Sequence, residues 1–349
     1  MKSKKAVLWV VAIALIALMA YILFFRVQFD WKMFWAQLRY ADPRYIAAGI
    51  GLIYAGYIFR SWRWAIFLRP GKQVGPFKLI GTQFIGFSAV ALFGRIADLS
   101  RPYLVAKRMQ LTVASQIAVY TVERMFDFGA AALIFSTAFA FAPKNLPHHE
   151  VFVKVGVGSL GLTAVIAIFV VVVRISGPAV AAFARAALKG LSPRIGDSIA
   201  EKILAFRDGL SAINSMSEFV STAVMSLVMW GFIALAYVMT AHAFTTTPSL
   251  ANLSFSQTML LMAVSIGGSA FQLPIIGWFT QIGITSAAMH TSYGTPIEAA
   301  TACGALLLIV TFLCTIPAGL LFAQLENVSL KKLAQDSSEE KKVQGVSSN

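Results

Sequence analysis

The chain has 349 residues, of which 58% are apolar and 13% charged, with a formal net charge of +14. Its mean hydropathy is +0.74. A soluble domain is nearer half apolar and a quarter charged, so this composition excludes a water-soluble globular protein and points to lipid as the solvent. Runs of about 20 apolar residues, the length needed to cross roughly 30 Å of hydrocarbon, recur along the chain. The basic surplus comes in short clusters between them. That pattern fits loops facing anionic headgroups and argues against nucleic acid as a partner.

In chain order, the apolar segments fall at 6–25, 45–59 with an extension toward 68, 79–94, 111–142, 151–173, 218–244, 255–292 and 296–323. The first follows Met1-Lys2-Ser3-Lys4-Lys5 and is longer than a secretory signal core, so it is expected to be an uncleaved span. Asp30–Tyr40, with Trp31, Phe34, Trp35 and Tyr40, has the composition of an interfacial anchor. The segment 79–94 is short and carries Gly81, Gly86 and Gly94. Its flanking linkers, 60–78 with Arg60, Arg63, Arg69, Lys72 and Lys78, and 95–110 with Arg95, Arg101, Lys107 and Arg108, both read as cytoplasmic. A segment flanked on both sides by cytoplasm cannot cross, so 79–94 is expected to enter and return.

Residues 174–217 are basic and are also placed inside. Within them Ile199, Ile203, Phe206, Leu210 and Ile213 recur at helical spacing, which predicts an amphipathic helix over 196–214. From Arg207 to Lys331 the chain carries no Lys or Arg. The segment 255–292 is too long for one span. It is broken at Gly267-Gly268 and at Leu273-Pro274-Ile275-Ile276-Gly277, and is expected to dip in from outside. The sum is an all-α polytopic transmembrane bundle of about six full spans plus two opposed re-entrant hairpins. Residues 1–325 form the membrane domain, with amphipathic cytoplasmic helices at about 178–215. Residues 326–349 are expected to be a disordered cytoplasmic tail, leaving both termini inside. Cys303 and Cys314 share one segment, are about 16 Å apart along a helix, and predict no disulfide.

Three clusters carry the chemistry. Arg95, Asp98 and Arg101 are three residues apart and would share one face of a helical turn, with Tyr103 following. The functional reading is a phosphate-binding fork at the hairpin mouth. The bland one is a routine basic loop. Glu123, Arg124 and Asp127 lie inside an apolar span, where three charges are costly unless paired. They predict either an ion-pair network joining helices or a site for a headgroup or a proton. The third cluster is the break itself, with Gln272, Pro274, Gly277 and Gln281. Unwound backbone at membrane depth lines cavities in transporters, whereas the bland reading is a kinked span. No Walker A loop, metal-ligand spacing or nucleophile–base pair is present in the sequence. No cofactor is expected, and an intramembrane enzyme is the least favoured reading.

These clusters resemble the transmembrane, flippase-like region of lysylphosphatidylglycerol synthases and their stand-alone homologues. A Pro-Gly-Arg-x-Gly-Glu-x-x-Arg-like run corresponds to Phe93-Gly94-Arg95-Ile96-Ala97-Asp98-Leu99-Ser100-Arg101, with Tyr103-Leu104 after it. A Glu-Arg-x-x-Asp element corresponds to Glu123-Arg124 and Asp127. A late Pro-Gly-Gly-x-Gly-x-x-Glu-like run corresponds to Pro274-Ile275-Ile276-Gly277-Trp278-Phe279-Thr280-Gln281. Phe93 stands for the Pro, Ala97 for a Gly and Gln281 for the Glu, and the Gly-Gly pair is lost. No segment corresponds to the soluble aminoacyl-transferase domain of the full-length synthases, so lysine transfer is not expected and the chain is read as a non-enzyme. The resemblance implies a protein of a bacterial cytoplasmic membrane that moves a phospholipid or polyprenyl-phosphate-linked lipid between leaflets. Its expected partners are membrane lipids with anionic headgroups or lipid phosphates. The alternative is a non-transporting subunit that recruits a lipid-modifying or glycosyl-transferring enzyme, with the amphipathic helix as its docking face. A second copy of the chain is the other protein partner considered.

Overall fold

A computed structural model describes residues 29–142, 144, 149–188, 193–209, 213, 215–268 and 276–346. The expected first span at 6–25, and Gln272 and Pro274 of the expected break, lie outside the described residues. Every regular element among the described residues is helical, as the composition predicts.

Helix α1 (Trp31–Tyr40) starts at Asp30, whose carboxylate accepts from the backbone N–H groups of Lys32 and Met33. Helix α2 (Pro43–Leu68) starts at Asp42, which accepts from Arg44 N–H at 2.8 Å. Such caps satisfy donors that the first helical turn leaves free. The linker expected from residue 60 begins only after Leu68. Arg60 and Arg63 are inside α2 and buried, because their partners come from another helix and Trp64–Leu68 are buried around them.

Helix α3 (Phe77–Phe93) ends at Gly94, whose φ of 69° is a conformation that favours glycine. A single 3-10 turn (Gly94–Ala97) then leads into α4 (Ser100–Met109), which folds back along α3. The approach is close. A Cβ on Gly86 would stand 2.7 Å from Cβ of Arg101. At the open end of this hairpin Lys72 Nζ donates to the carbonyl of Met109 at 3.0 Å. The chain therefore leaves where it entered.

Helix α5 (Val113–Ala140) is capped by Thr112, and α6 (His149–Leu188) bends at Ser176, two residues before Pro178. Helix α7 (Pro193–Gly209) overlaps the helix expected over 196–214 but stops before Ile213, and it runs back along α6: Arg185 meets Asp197 at 2.7 Å near one end, and Arg207 lies against Gly177 near the other. Helix α8 (Met216–His242) is followed by the short α9 (Pro248–Ala251). Helices α10 (Phe255–Gly268) and α11 (Ile276–Tyr293) form a second hairpin. Tyr293 Oη donates to the carbonyl of Gln257 at 3.1 Å, so its ends also lie side by side.

The two hairpins open at opposite ends of α8. Arg69, beside the first, pairs with Glu218 in the first turn of α8 at 2.8 Å. His242, in its last turn, contacts the carbonyl of Leu253, just before α10, at 3.0 Å. Helix α12 (Ile297–Leu325) contains a π-helical segment (Ile309–Leu313). By length and composition α6, α8 and α12 can cross a membrane. Helices α2, of 26 residues, and α5, of 28, are long enough but carry the buried charges. Val155, Leu162, Val165, Ile166 and Phe169 of α6 are exposed, a surface that lipid would cover.

The tail departs from expectation. Residues from Leu330 form helix α13 (Leu330–Val346) instead of a disordered tail. Leu330, Leu333 and Ala334 are buried against Ile85, Ala89, Ala97 and Leu104 of the first hairpin. Burial of this narrow stripe offsets the ordering cost that a polar sequence alone would not meet.

Candidate functional site

The charged side chains of three helices converge. Arg60 and Arg63 are one turn apart on α2 and so share a face. Arg63 is 1% exposed and Glu123 0%. Arg63 Nη2 lies 2.6 Å from Glu123 Oε1, and its Nη1 lies 2.7 Å from Asp127 Oδ1 and 2.6 Å from Ser226 Oγ. Arg101, from α4, grips Glu123 with both terminal nitrogens, at 2.5 and 2.9 Å, and donates to Gln83 Oε1 at 2.9 Å. Its guanidinium also lies 4.4 Å from the ring centre of Trp64. Arg124 Nη2 is 3.1 Å from Asp127 Oδ2 on its own helix. Such paired, bidentate contacts are what make buried charge tolerable.

Arg60 is held more loosely. Its Nη1 lies 3.3 Å from Glu123 Oε1 and 3.8 Å from Asp127 Oδ2. Four guanidinium groups therefore share two buried carboxylates. Asp98, half-buried at the break before α4, is a third acid acting on Arg124. These seven side chains carry one more positive than negative charge.

Arg60 also borders a cavity of about 280 Å³. Phe87 and Gly94 of the first hairpin form part of its wall, and Gly277, Trp278 and Gln281 of the second form another part. Trp230 and Tyr237 come from α8, and Thr311 and Phe312 from the π-helical segment. The segment's wider turn is seen in the bond from Cys314 N–H to the carbonyl of Ile309 at 2.7 Å. Carbonyls left over at its end are taken by side chains: Tyr54 Oη donates to Cys314 O at 2.7 Å and Ser88 Oγ to Thr315 O at 3.0 Å. Such π-bulges recur at functional sites. Behind Gln281, its Nε2 donates to Ser265 Oγ at 2.7 Å, and Tyr237 Oη donates to the same oxygen at 3.0 Å.

Residues 9–319 match the family model described as the lysylphosphatidylglycerol synthase TM region. The chain belongs to this family. No curated protein and no solved structure matches it.

The structure of this family member places the expected residues unevenly. It brings Arg101, Glu123, Arg124 and Asp127 into one buried cluster, and Gly277 and Gln281 to the cavity wall. It does not put Arg95, Asp98 and Arg101 on one regular turn, because the backbone passes from a 3-10 turn through a break into α4. Arg95 is in that turn, and its side chain lies outside the described residues. Arg101 is not at an open mouth: it is buried, and Glu123 and Gln83 occupy its donors. Tyr103 points elsewhere, its hydroxyl 3.4 Å from Asp336 on α13. Arg60, Arg63, Gln83, Trp230 and Tyr237 are site residues that sequence reasoning missed. The signal for the first two was the 60–63 spacing inside an apolar run that continues to Leu68.

Proposed function

We propose that this chain moves a phospholipid or polyprenyl-phosphate-linked lipid between the leaflets of a bacterial cytoplasmic membrane. The observation that carries this reading is the cavity, which both hairpins line although they open at opposite ends of α8. A site reached by two opposed, broken elements is the arrangement expected for access from alternate sides. Arg60 would hold the lipid phosphate, exchanging its two loose carboxylate contacts for phosphate oxygens. Arg63 and Arg101 would keep the released carboxylates of Glu123 and Asp127 fixed. The lipid tails would stay in the bilayer. The basic Arg69 end is assigned to the cytoplasm on its charge.

The docking reading has less support, because α7 lies along α6 of the same chain. The test is purified protein in vesicles with a trace of acyl-labelled phospholipid, scored for label reaching the opposite leaflet. Movement that depends on Arg60 supports translocation. Equal rates in empty vesicles, or in vesicles with Arg60→Ala protein, would sink it.

A further inference from the structure

The cavity wall facing Arg60 carries no charge. Between Glu218 and Glu298 the sequence contains no Asp, Glu, Lys or Arg, and that stretch supplies the cavity residues of α8, α10 and α11. From Ala299 to Leu325, which supplies Thr311 and Phe312, there is again none. Arg60 is the only charged residue among the described residues that line the cavity. What the facing wall does offer is neutral hydrogen-bonding groups. Gln281 and Tyr237 line it and converge on Ser265. The indole N–H of Trp230, another lining residue, is buried without an acceptor. An unpaired buried donor is costly and is satisfied by a ligand oxygen.

We propose that the cavity selects a lipid with an anionic phosphate and an uncharged, hydroxyl-rich headgroup, and rejects a cationic headgroup. The phosphate sits on Arg60, headgroup oxygens take the Trp230 indole N–H and the second amide hydrogen of Gln281, and a headgroup hydroxyl donates to Tyr237 Oη. An ammonium in the same place would lie in a cavity whose one charge is positive. The carboxylates that reach Arg60, those of Glu123 and Asp127, are already held by Arg63, Arg101 and Arg124. Like charges facing each other across one cavity repel, which is specificity by repulsion. This inference rests on the cavity being the lipid site, as the proposed function has it.

Gln281 tunes the preference that Arg60 creates. Gln281→Glu is nearly isosteric, and the Ser265 hydroxyl can turn to donate to the new carboxylate, so the fold should tolerate it. The experiment is native mass spectrometry of the purified full chain with an equimolar mixture of phosphatidylglycerol, phosphatidylethanolamine and lysylphosphatidylglycerol. The vesicle assay is run in parallel with the same three lipids, acyl-labelled. The expected result is that phosphatidylglycerol is retained over lysylphosphatidylglycerol by at least about tenfold. Arg60→Ala removes the preference, whereas Lys331→Ala/Lys332→Ala at the surface does not. Gln281→Glu narrows or reverses it. Equal or better retention of lysylphosphatidylglycerol by the wild-type chain overturns the inference, as does a preference that survives Arg60→Ala. The expected retention without any movement in vesicles leaves the selectivity standing and removes the translocation reading.

Discussion

Arg60 and Arg63 face the same two carboxylates from adjacent turns of α2, yet Arg63 sits at 2.6 and 2.7 Å and Arg60 at 3.3 and 3.8 Å. The difference divides a structural arginine from one available to a ligand. Arg63→Ala leaves two buried acids short of a partner and should lower stability by about 3–5 kcal/mol. Arg60→Ala should cost less than half of that and still stop lipid movement. Unfolding in detergent alongside vesicle flux measures both. Equal destabilisation by the two changes would refute the division.

Glu123 is the hub, contacted by Arg60, Arg63 and Arg101. Glu123→Gln should be as damaging as Arg63→Ala, because it leaves buried guanidinium groups under-neutralised. Combining it with Arg101→Met should recover part of the loss. A double-mutant cycle reads the coupling, expected at about 1–3 kcal/mol. Purely additive losses would mean that the two groups do not interact.

Two close approaches clamp α3. Besides Gly86 against α4, a Cβ on Gly319 of α12 would stand 2.6 Å from the carbonyl of Phe84. Gly86→Ala and Gly319→Ala should each lose about 1–3 kcal/mol through overpacking. Gly231→Ala, with nothing within 4 Å of the new methyl, should be neutral or stabilising. Melting temperatures of the three variants make the comparison.

If both hairpins are re-entrant, single cysteines at exposed Lys72 and Lys107 should label from one side of a vesicle only. Those at exposed Thr246 and Ser292 should label only from the other. The background carries replacements of Cys303 and Cys314. Split labelling within either pair would show that its hairpin spans the bilayer.

Deleting residues 330–349 should uncover Ile85, Ala97 and Leu104, which α13 buries. The expected outcome is a lower melting temperature in detergent and faster proteolysis near Gly94. An unchanged melting temperature would mean that α13 contributes nothing to the packing.

The spans were legible because lipid imposes a length and a composition that few other environments do. The reversal at Gly94 was legible for a similar reason, since a short apolar run between basic flanks has few solutions. The end of α2 was not. A basic residue in a loop and one buried in a helix look alike in sequence when the acids that pair with it lie about 60 residues away, as Glu123 and Asp127 do. Helix α13 was hidden by its many charges. Yet Leu330, Leu333, Ala334 and Ser337 stand at the 3-and-4 spacing of a helical stripe, which was the signal to follow. The cavity had no local signature at all, because its wall is assembled from six separate stretches of chain.

Helix α6 has one more consequence. Its 40 residues are two helical segments joined at the Ser176 bend, and the first alone is long enough to cross the hydrocarbon. Beyond the bend, α7 packs along α6 from Gly177 to Arg185. A rigid binding protein raised against the Arg185–Asp197 surface would be joined to the rest of α6 through the Ser176 bend, beside which α7 packs. It would add mass and asymmetry to a particle otherwise submerged in detergent, and so provide an alignment mark for imaging the two hairpins in each of their states.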